Sequence, residues 1–236
     1  MAAASDGAGG TAEVPGRKDW DAESARLAAR ALRAGEPTAW FEELYAAGRR
    51  REIDMPWDRP SPLPLLADWL QLRAWGDNRS AVVVGCGLGI DAEYIAAHGF
   101  QTTAFDISET AIRTARERYP NSPVSYCNAD LLSVPSAWLR AFDLVVEIIN
   151  IQALPLTLRP RAVAAVASLV AAGGTLLAVE NVRQDSDPMP DRPPWPFSRT
   201  EIESFAENGL ETVAIDQSMD PVRGPRWRAE FTRHMP

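Results

Sequence analysis

Residues 81–91 constrain the fold of this chain more than any other segment, because an apolar run ends there at alternating glycines. The run, residues 81–84, has the composition of a buried strand in a parallel sheet. The glycines that follow it are Gly85, Gly87 and Gly89. A loop without Cβ atoms can turn sharply and let its backbone lie against a ligand. A helix-like stretch comes next, so the order predicts a ligand at the strand end, where doubly wound α/β folds bind ligands.

The spacing of the glycines favours one kind of ligand. A dinucleotide-binding loop has the pattern G-x-G-x-x-G and holds a pyrophosphate at the helix N-terminus. Here Ile90 occupies the third glycine position, and Asp91 would place a carboxylate near the pyrophosphate. A cofactor with a positive charge and no phosphate, such as S-adenosylmethionine, suits the loop better. A nicotinamide-dependent oxidoreductase with the same strand–glycine–helix layout stays an alternative.

Composition narrows the function classes. A net charge of −8 argues against nucleic acid as the main partner. No apolar run reaches the roughly 18 residues of a membrane span, and the first ten residues lack the features of a secretory signal. The two cysteines, Cys86 and Cys127, form no disulfide framework and suit a reducing compartment. We expect a cytoplasmic protein, a monomer by default, that binds neither nucleic acid nor membrane.

Composition and hydrophobic periodicity divide the chain into three parts. Residues 1–17 are rich in alanine, glycine and serine, which predicts a disordered tail. Residues 18–79 are predicted to be helical. The predicted helices of this segment cover residues 19–33, 37–50 and 62–75. Residues 80–236 are predicted to form the core domain.

Strand and helix patterns alternate from residue 80 onward, which predicts a mostly parallel sheet with helices on both faces. The predicted strands cover residues 81–84, 102–105, 124–127, 142–149 and 175–179. The predicted helices between them cover residues 91–98, 108–118 and 158–171, and Gly173-Gly174 is expected to end the last. A proline-rich loop, a helix at 199–208 and strands at 210–218 and 227–232 follow. This predicts an α/β fold whose C-terminal hairpin adds an antiparallel strand.

Two acids lie at successive strand ends of the predicted sheet. Asp106 can accept hydrogen bonds from both hydroxyls of a ribose. Asp130 can meet the exocyclic amine of an adenine, with Leu131 packed on the ring. Both acids could instead be helix caps or loop residues, and that alternative stays open at this point.

Five motifs follow one another through the core. They are Val84-Gly85-Cys86-Gly87-Leu88-Gly89, Phe105-Asp106-Ile107-Ser108, Asn128-Ala129-Asp130-Leu131, Phe142-Asp143-Leu144-Val145-Val146 and Ala172-Gly173-Gly174-Thr175-Leu176-Leu177. With them, residues 80–180 resemble a class I S-adenosylmethionine-dependent methyltransferase. The resemblance implies a Rossmann-like doubly wound sheet, S-adenosylmethionine as cofactor and transfer of its methyl group. The cofactor-binding residues that it implies are Gly85, Cys86, Gly87, Gly89, Asp106, Ile107, Asp130 and Leu131.

A second set of motifs lies outside that core. The set comprises Trp40-Phe41-Glu42-Glu43-Leu44-Tyr45, Pro56-Trp57-Asp58, Pro194-Trp195-Pro196-Phe197 and Trp227-Arg228-Ala229-Glu230-Phe231. It resembles the thiopurine S-methyltransferase-like branch, which implies that residues 18–79 form a lid over the cofactor and part of the substrate pocket. On this basis Trp40 and Trp57 are expected to contact the cofactor and Tyr45 the substrate. Ordinary core packing of these aromatic rings stays an alternative.

Few residues are available as a general base. His98 lies at a helix end, where a cation complements the helix dipole, and His234 lies in the C-terminal tail. Glu147, at the carboxyl end of the fourth strand, is the best candidate for a catalytic residue, and it could also orient the substrate or the ammonium group of the cofactor. Ile148 and Gln152 follow it on the expected substrate side. No metal-ligand motif is present, so no metal is predicted.

These observations predict an enzyme that moves the methyl group of S-adenosylmethionine to sulfur or oxygen of a small molecule. A thiol or an acidic phenol would need little help from a base, which fits the few candidate bases. The alternative is a regulatory module that binds S-adenosylmethionine without catalysis.

The glycine loop gives a direct test. Gly87→Asp places a side chain in the expected cofactor loop, so we expect cofactor binding to be lost while the chain still folds. Calorimetric titration with S-adenosylmethionine measures the affinity, and undiminished affinity in the variant would contradict the site assignment.

Overall fold

The computed structural model describes residues 19–73, 78–220 and 224–235, so the predicted tail at 1–17 lies outside the described residues. In the described part, seven strands form one sheet: β1 (Ser80–Val84), β2 (Gln101–Asp106), β3 (Ser125–Asn128), β4 (Phe142–Ile148), β5 (Val170–Asn181), β6 (Glu211–Asp220) and β7 (Gly224–Thr232). Their order is β3-β2-β1-β4-β5-β7-β6. Neighbours from β3 to β5 are parallel, whereas β7 runs antiparallel to β5 and β6. This confirms the predicted α/β class.

Seven α-helices accompany the sheet in the described ranges. They are α1 (Trp20–Ala34), α2 (Ala39–Arg49), α3 (Pro64–Gln71), α4 (Ile90–Ala97), α5 (Glu109–Arg118), α6 (Arg159–Ser168) and α7 (Arg199–Glu203). Serine caps begin two of these helices, because the Ser108 hydroxyl accepts the N–H of Ala111 and that of Ser198 accepts the N–H of Glu201. None of these helices is both long and apolar enough to cross a membrane.

Both faces of the central strands are covered, which explains why β1 and β4 are nearly continuous apolar runs. One hydrophobic cluster lies on the face of Val82, Val84, Val145 and Leu176. A second lies on the face of Ala81, Val83, Leu144 and Val146. The sheet order reverses between β1 and β4, so the loops that leave these two strands open a crevice at the carboxyl edge.

Residues of the N-terminal segment form hydrogen bonds and an ion pair with α5, the helix that follows β2. Glu42 of α2 accepts hydrogen bonds from the Ser108 hydroxyl and the Thr110 N–H at the start of α5, at 2.6 and 3.1 Å. Asp58 pairs with both terminal nitrogens of Arg118, at 2.7 and 2.8 Å. These contacts hold residues 39–63 over the carboxyl edge of the sheet.

The predicted C-terminal end of the helix at 158–171 is wrong. α6 stops at Ser168, and residues 170 and 171 already belong to β5, where Val170 pairs with Phe142. Gly173 and Gly174 lie inside β5 at a register shift rather than at a helix end. Gly173 has φ of +73°, and a Cβ on Gly174 would lie 2.8 Å from the carbonyl oxygen of Phe142. The glycine pair therefore makes room for a strand irregularity, a signal that resembles a helix stop in sequence.

Two other predicted helices are shorter in the structure. α3 covers Pro64–Gln71, and the predicted end at residue 75 lies outside the described residues. The predicted helix at 199–208 divides into α7 and a single 3-10 turn, Ala206–Asn208. Gly209 follows with φ of +76° and ends the turn.

The contact of α2 with α5 predicts an asymmetric effect of two neighbouring substitutions. Glu42→Ala removes the acceptor of Ser108 and Thr110 and should lower the free energy of unfolding by about 1–2 kcal/mol at pH 7. The matched control is Glu43→Ala, because the ion pair of Glu43 with Arg30 is exposed and its loss should cost under about 0.5 kcal/mol. Denaturant titration measures both.

The pH dependence of the Glu42 contact follows from its pKa. Burial raises the pKa of Glu42, but the hydrogen bonds from Ser108 and Thr110 outweigh burial and the net pKa is lowered. The stabilisation is therefore present above the unfolded-state pKa and lost as pH falls through the lower folded-state pKa. Equal destabilisation by Glu42→Ala and Glu43→Ala would contradict this account.

Candidate active site

The predicted sharp turn is present after β1. Gly85, Gly87 and Gly89 have φ of +56°, +53° and +93°, which L side chains rarely adopt. The Cys86 N–H donates to the carbonyl of Phe105 at 2.9 Å, which ties the turn to β2. The loop thus crosses the carboxyl edge of the sheet with no side chain at its three turning positions.

The three positions exclude a side chain for different physical reasons. A Cβ on Gly85 would lie 2.0 Å from Oδ1 of Asn150, and a Cβ on Gly89 would lie 2.4 Å from the hydroxyl of Tyr126. These two glycines make room for side chains of the core domain. A Cβ on Gly87 would lie 2.9 Å from the hydroxyl of Tyr45, which belongs to α2. Of the three, only Gly87 therefore faces the N-terminal helices across the crevice.

Asp106 lies beneath the loop at the end of β2. Its carboxylate accepts the Gly87 N–H at 3.0 Å and the Ser108 N–H at 2.9 Å, one on each oxygen. Burial raises the pKa of Asp106 to about 6, although both N–H groups favour the ionised form. A carboxylate oxygen has two lone pairs, so the group keeps acceptor capacity for donors of a ligand.

The ends of β2 and β3 meet beside Asp106. Asn128 donates its side-chain amide to the carbonyls of Asp106 and Ile107, at 3.0 and 2.9 Å. Asp130 accepts the Leu132 N–H at 2.8 Å and caps a 3-10 turn. The structure thus brings Ile107, Asp130 and Leu131 to one edge, with Asp130 in the cap role that the sequence left open. Asn128 was missed, because an asparagine at a strand end has no distinctive pattern.

The aromatic residues of the N-terminal segment pack in two places, some against the glycine loop and some in the core between α1 and α2. Tyr45 is buried, and its ring lies 5.8 Å from that of Trp57. Both pack with Leu88 of the glycine loop. Burial and the nearby Asp106 raise the pKa of the Tyr45 hydroxyl well above its ordinary value. Trp40 lies instead in the core between α1 and α2, stacked on Phe41 at 4.2 Å.

Glu147 is fully buried at the end of β4. Its Oε1 accepts the N–H groups of Asn150 and Ile151, at 2.8 and 3.1 Å. Glu180 of β5 is also fully buried, two residues beyond Ala178, the register partner of Glu147. Burial raises the pKa of Glu147 to about 7 and that of Glu180 well above its ordinary value. Sequence reasoning missed Glu180, although the residue lies at a strand end next to the crevice.

The segment after β4 lies close to both Glu147 and the glycine loop. Asn150 donates its side-chain amide to the carbonyl of Val84 at 2.7 Å. Gln152 is buried, and its Oε1 accepts the Asn181 N–H at 2.9 Å. Ile148 is half-buried. Of the predicted substrate residues, Gln152 is thus held against the end of β5, Ile148 packs on the second hydrophobic cluster, and Tyr45 approaches from α2.

Asp91 has a different role from the predicted one. Its carboxylate accepts hydrogen bonds from Arg59 at 2.6 Å and from the Leu63 N–H at 2.8 Å. The ion pair with Arg59 neutralises the charge that was expected to repel a pyrophosphate. The argument against a dinucleotide therefore rests on Ile90 at the third glycine position and no longer on Asp91.

The described residues contain no cluster of three or more histidine, cysteine, aspartate or glutamate side chains that could hold a metal ion. His98 lies at the end of α4, where its Nδ1 forms a hydrogen bond of 2.8 Å with the carbonyl of Tyr94. This local contact accounts for His98 without a catalytic role.

Comparison with known sequences adds independent information. Residues 81–174 match the family model of the methyltransferase domain. A probable S-adenosylmethionine-dependent methyltransferase of Mycobacterium tuberculosis is 31% identical over 163 residues, 66% of this chain and 56% of that protein. Thiocyanate methyltransferase 1 of Arabidopsis thaliana is 25% identical over 192 residues, 78% of this chain and 76% of that protein. The match thus spans only about half of the mycobacterial relative.

Comparison with solved structures agrees on the fold. The 1,6-didemethyltoxoflavin-N1-methyltransferase of Burkholderia thailandensis, solved with 1,6-didemethyltoxoflavin and S-adenosylhomocysteine, superposes with a TM-score of 0.66. The alignment covers 90% of this chain and 91% of that chain, at 17% identity. At this identity the likeness establishes the Rossmann-like fold alone.

The burial of Asp106 predicts a pH-dependent effect of Asp106→Asn. Because the folded-state pKa is raised to about 6, ionisation opposes folding by an amount that grows between about pH 4 and 6, to about 3 kcal/mol. Asparagine cannot ionise, but it accepts only one of the two N–H groups, a cost that does not depend on pH.

We therefore expect the stability of Asp106→Asn, relative to the natural chain, to rise from pH 4 to 6 and stay level above. Thermal unfolding across that range measures the difference. Glu147 titrates in both chains, so its effect cancels. A difference that does not change with pH would contradict the burial of an ionisable Asp106.

Proposed function

We propose that this chain, whose residues 81–174 match the family model of the methyltransferase domain, is a class I S-adenosylmethionine-dependent methyltransferase that methylates a small molecule. The observation that carries the proposal is the Asp106 carboxylate that accepts the Gly87 N–H, at the edge where the sheet order reverses. When bound, the cofactor supplies a methyl group activated by its sulfonium. The protein contributes position and the exclusion of water.

The residues of the crevice fit that cofactor. Gly87 has no side chain and faces Tyr45 and Trp57, so a ligand at this loop would lie between its backbone and these rings. The carboxylate of Asp106 keeps acceptor capacity for ribose hydroxyls. Asp130 and Leu131 follow at the next strand end, with the polar and apolar character that an adenine needs. The buried acids at this edge also suit a ligand that carries positive charge. We assign the cofactor to these residues together with Gly85, Cys86, Gly89 and Ile107.

Aromatic residues of the N-terminal segment cover the proposed cofactor site. Trp57 packs beside Tyr45 against Leu88, so the proposed lid lies directly on the glycine loop. An aromatic cover excludes water and stabilises a cation. Trp40 would contribute indirectly, by fixing α2 against α1.

The proposed acceptor atom is sulfur or oxygen of a small molecule. The carboxylate of Glu147 is buried and already bound to two backbone N–H groups, so an acceptor that ionises readily suits the site better than one that needs a strong base. The similarity to a protein named for thiocyanate favours the same view. Tyr45, Ile148 and Gln152 are the proposed substrate-side residues. The free thiols of Cys86 and Cys127 suit the reducing cytoplasm that we propose as its location.

The proposal is tested by turnover. The natural chain and Gly87→Asp are incubated with S-adenosylmethionine and a panel of small thiols, phenols and amines, and S-adenosylhomocysteine is measured. We expect turnover with a thiol or a phenol for the natural chain and none for the variant. Binding of the cofactor without turnover across the panel would favour a regulatory module, and turnover with amines alone would contradict the acceptor assignment.

A further inference from the structure

We propose that Glu180 is a positioning residue, which holds Glu147 and, through it, Asn150 and the glycine loop in the arrangement that binds the cofactor. The inference rests on the proposed function, because it concerns the same crevice. It explains two buried carboxyl groups that the proposed transfer does not use directly. Three contacts carry it, from β5 to β4, from β4 to the following segment, and from that segment to β1.

The first contact joins the two carboxyl groups. Glu147 pairs with Ala178 in the β4–β5 register, so Glu180, two residues further, projects from the same face. Both side chains are fully buried. Among the described residues, neither oxygen of Glu180 nor Oε2 of Glu147 has a conventional donor, which leaves the two groups to share a proton. Two adjacent buried carboxylates cannot both be ionised without a large cost in free energy.

The cations near Glu147 and Glu180 pair with other groups, so they do not neutralise the pair in place of the shared proton. Arg159 of α6 is the cation that acts on Glu180, but its guanidinium is bound to Glu201 and to the carbonyl of Trp195. Arg183, after β5, also pairs with Glu201, at 3.1 Å. The register partners on the flanking strands are apolar or uncharged, since Val84 lies opposite Glu147 and Trp227 lies opposite Glu180. The arginines beside Trp227 on β7 have their own partners, because Arg226 pairs with Asp220 and Arg228 with Asp216.

The second contact joins Glu147 to the segment after β4. Oε1 of Glu147 accepts two successive backbone N–H groups, from Asn150 and Ile151. Ile149 stands between this segment and the strand with φ of +62°, a costly conformation for a β-branched residue. The two hydrogen bonds to Glu147 help to hold the chain in that conformation.

The third contact joins the segment to the glycine loop. The Asn150 amide donates to the carbonyls of Val84 and Ile148, at 2.7 and 3.0 Å. Its Oδ1 occupies the space that a Cβ on Gly85 would need. A shift of Glu147 would therefore move Asn150 and remove a support of the loop at its first glycine.

Two substitutions of Glu180 distinguish a positioning role from a role that only fills space. Glu180→Gln keeps the shape and offers an amide N–H to Glu147 in place of the shared proton. Glu180→Leu keeps an apolar volume but leaves Oε2 of Glu147 buried without a donor. Glu230→Gln is the control, because Glu230 lies on neighbouring β7, bound to Trp69 and Arg73 rather than to the pair.

The readout is calorimetric affinity for S-adenosylhomocysteine, with folding checked by thermal unfolding. At pH 7.5 we expect Glu180→Gln and Glu230→Gln to bind within about twofold of the natural chain, and Glu180→Leu to bind at least about tenfold more weakly. From pH 7.5 to 9.5 the natural chain should lose about fivefold more affinity than Glu180→Gln. The ammonium of the ligand titrates equally with every variant, so the ratio of the two dissociation constants isolates the shared proton.

Each outcome decides a separate question. The deciding ratio is the dissociation constant of the natural chain divided by that of Glu180→Gln. A ratio that rises with pH supports the inference even where Glu180→Leu fails to fold. A ratio that stays constant with pH overturns it, as does natural affinity in a folded Glu180→Leu variant. No binding of S-adenosylhomocysteine by the natural chain at any pH would instead overturn the proposed function, and the inference with it.

Discussion

The hydrogen bond from the Gly87 N–H to the Asp106 carboxylate is the contact on which the crevice depends. It joins the loop after β1 to the end of β2, and the Ser108 N–H completes the arrangement from the start of α5. Burial of Asp106 opposes folding, which its raised pKa records, while the two N–H groups offset part of the cost. The result is a fixed acceptor at the edge of the sheet that has capacity for further donors. An acceptor arranged before a ligand arrives needs little reorganisation on binding.

The N-terminal helices complete the crevice through contacts with the same elements. Glu42 binds the start of α5, and Arg59 pairs with Asp91 at the start of α4. These contacts place Tyr45 and Trp57 against the loop, whereas the opposite side is formed by Asn150 above Gly85. The crevice is thus bounded by two supports of different origin, one from the helices and one from the segment after β4. A substrate pocket built in this way can change with the helices while the cofactor loop stays the same.

Much of this arrangement could be predicted from sequence because it depends on local patterns. The alternation of strands and helices predicted the α/β sheet, and the glycines with Asp106 predicted the crevice at its edge. The start of β5 was mispredicted because Gly173 and Gly174 serve a register shift, and a glycine pair after a helix gives the same local signal as a helix stop. Trp40 and Tyr45 lie on one helix but in different surroundings, and only tertiary packing distinguishes them. Glu180 carried no signal, because its meaning comes from a neighbour on another strand.

We propose that the backbone between Val84 and Asp91 holds the amino-acid end of S-adenosylmethionine while Asp106 holds its ribose. A crystal structure of the chain with S-adenosylhomocysteine tests it most directly. The account predicts ligand density along Gly85–Gly89 with the ribose hydroxyls on the carboxylate of Asp106. Density for the ligand elsewhere, with the Gly87 backbone still covered by Tyr45, would contradict it.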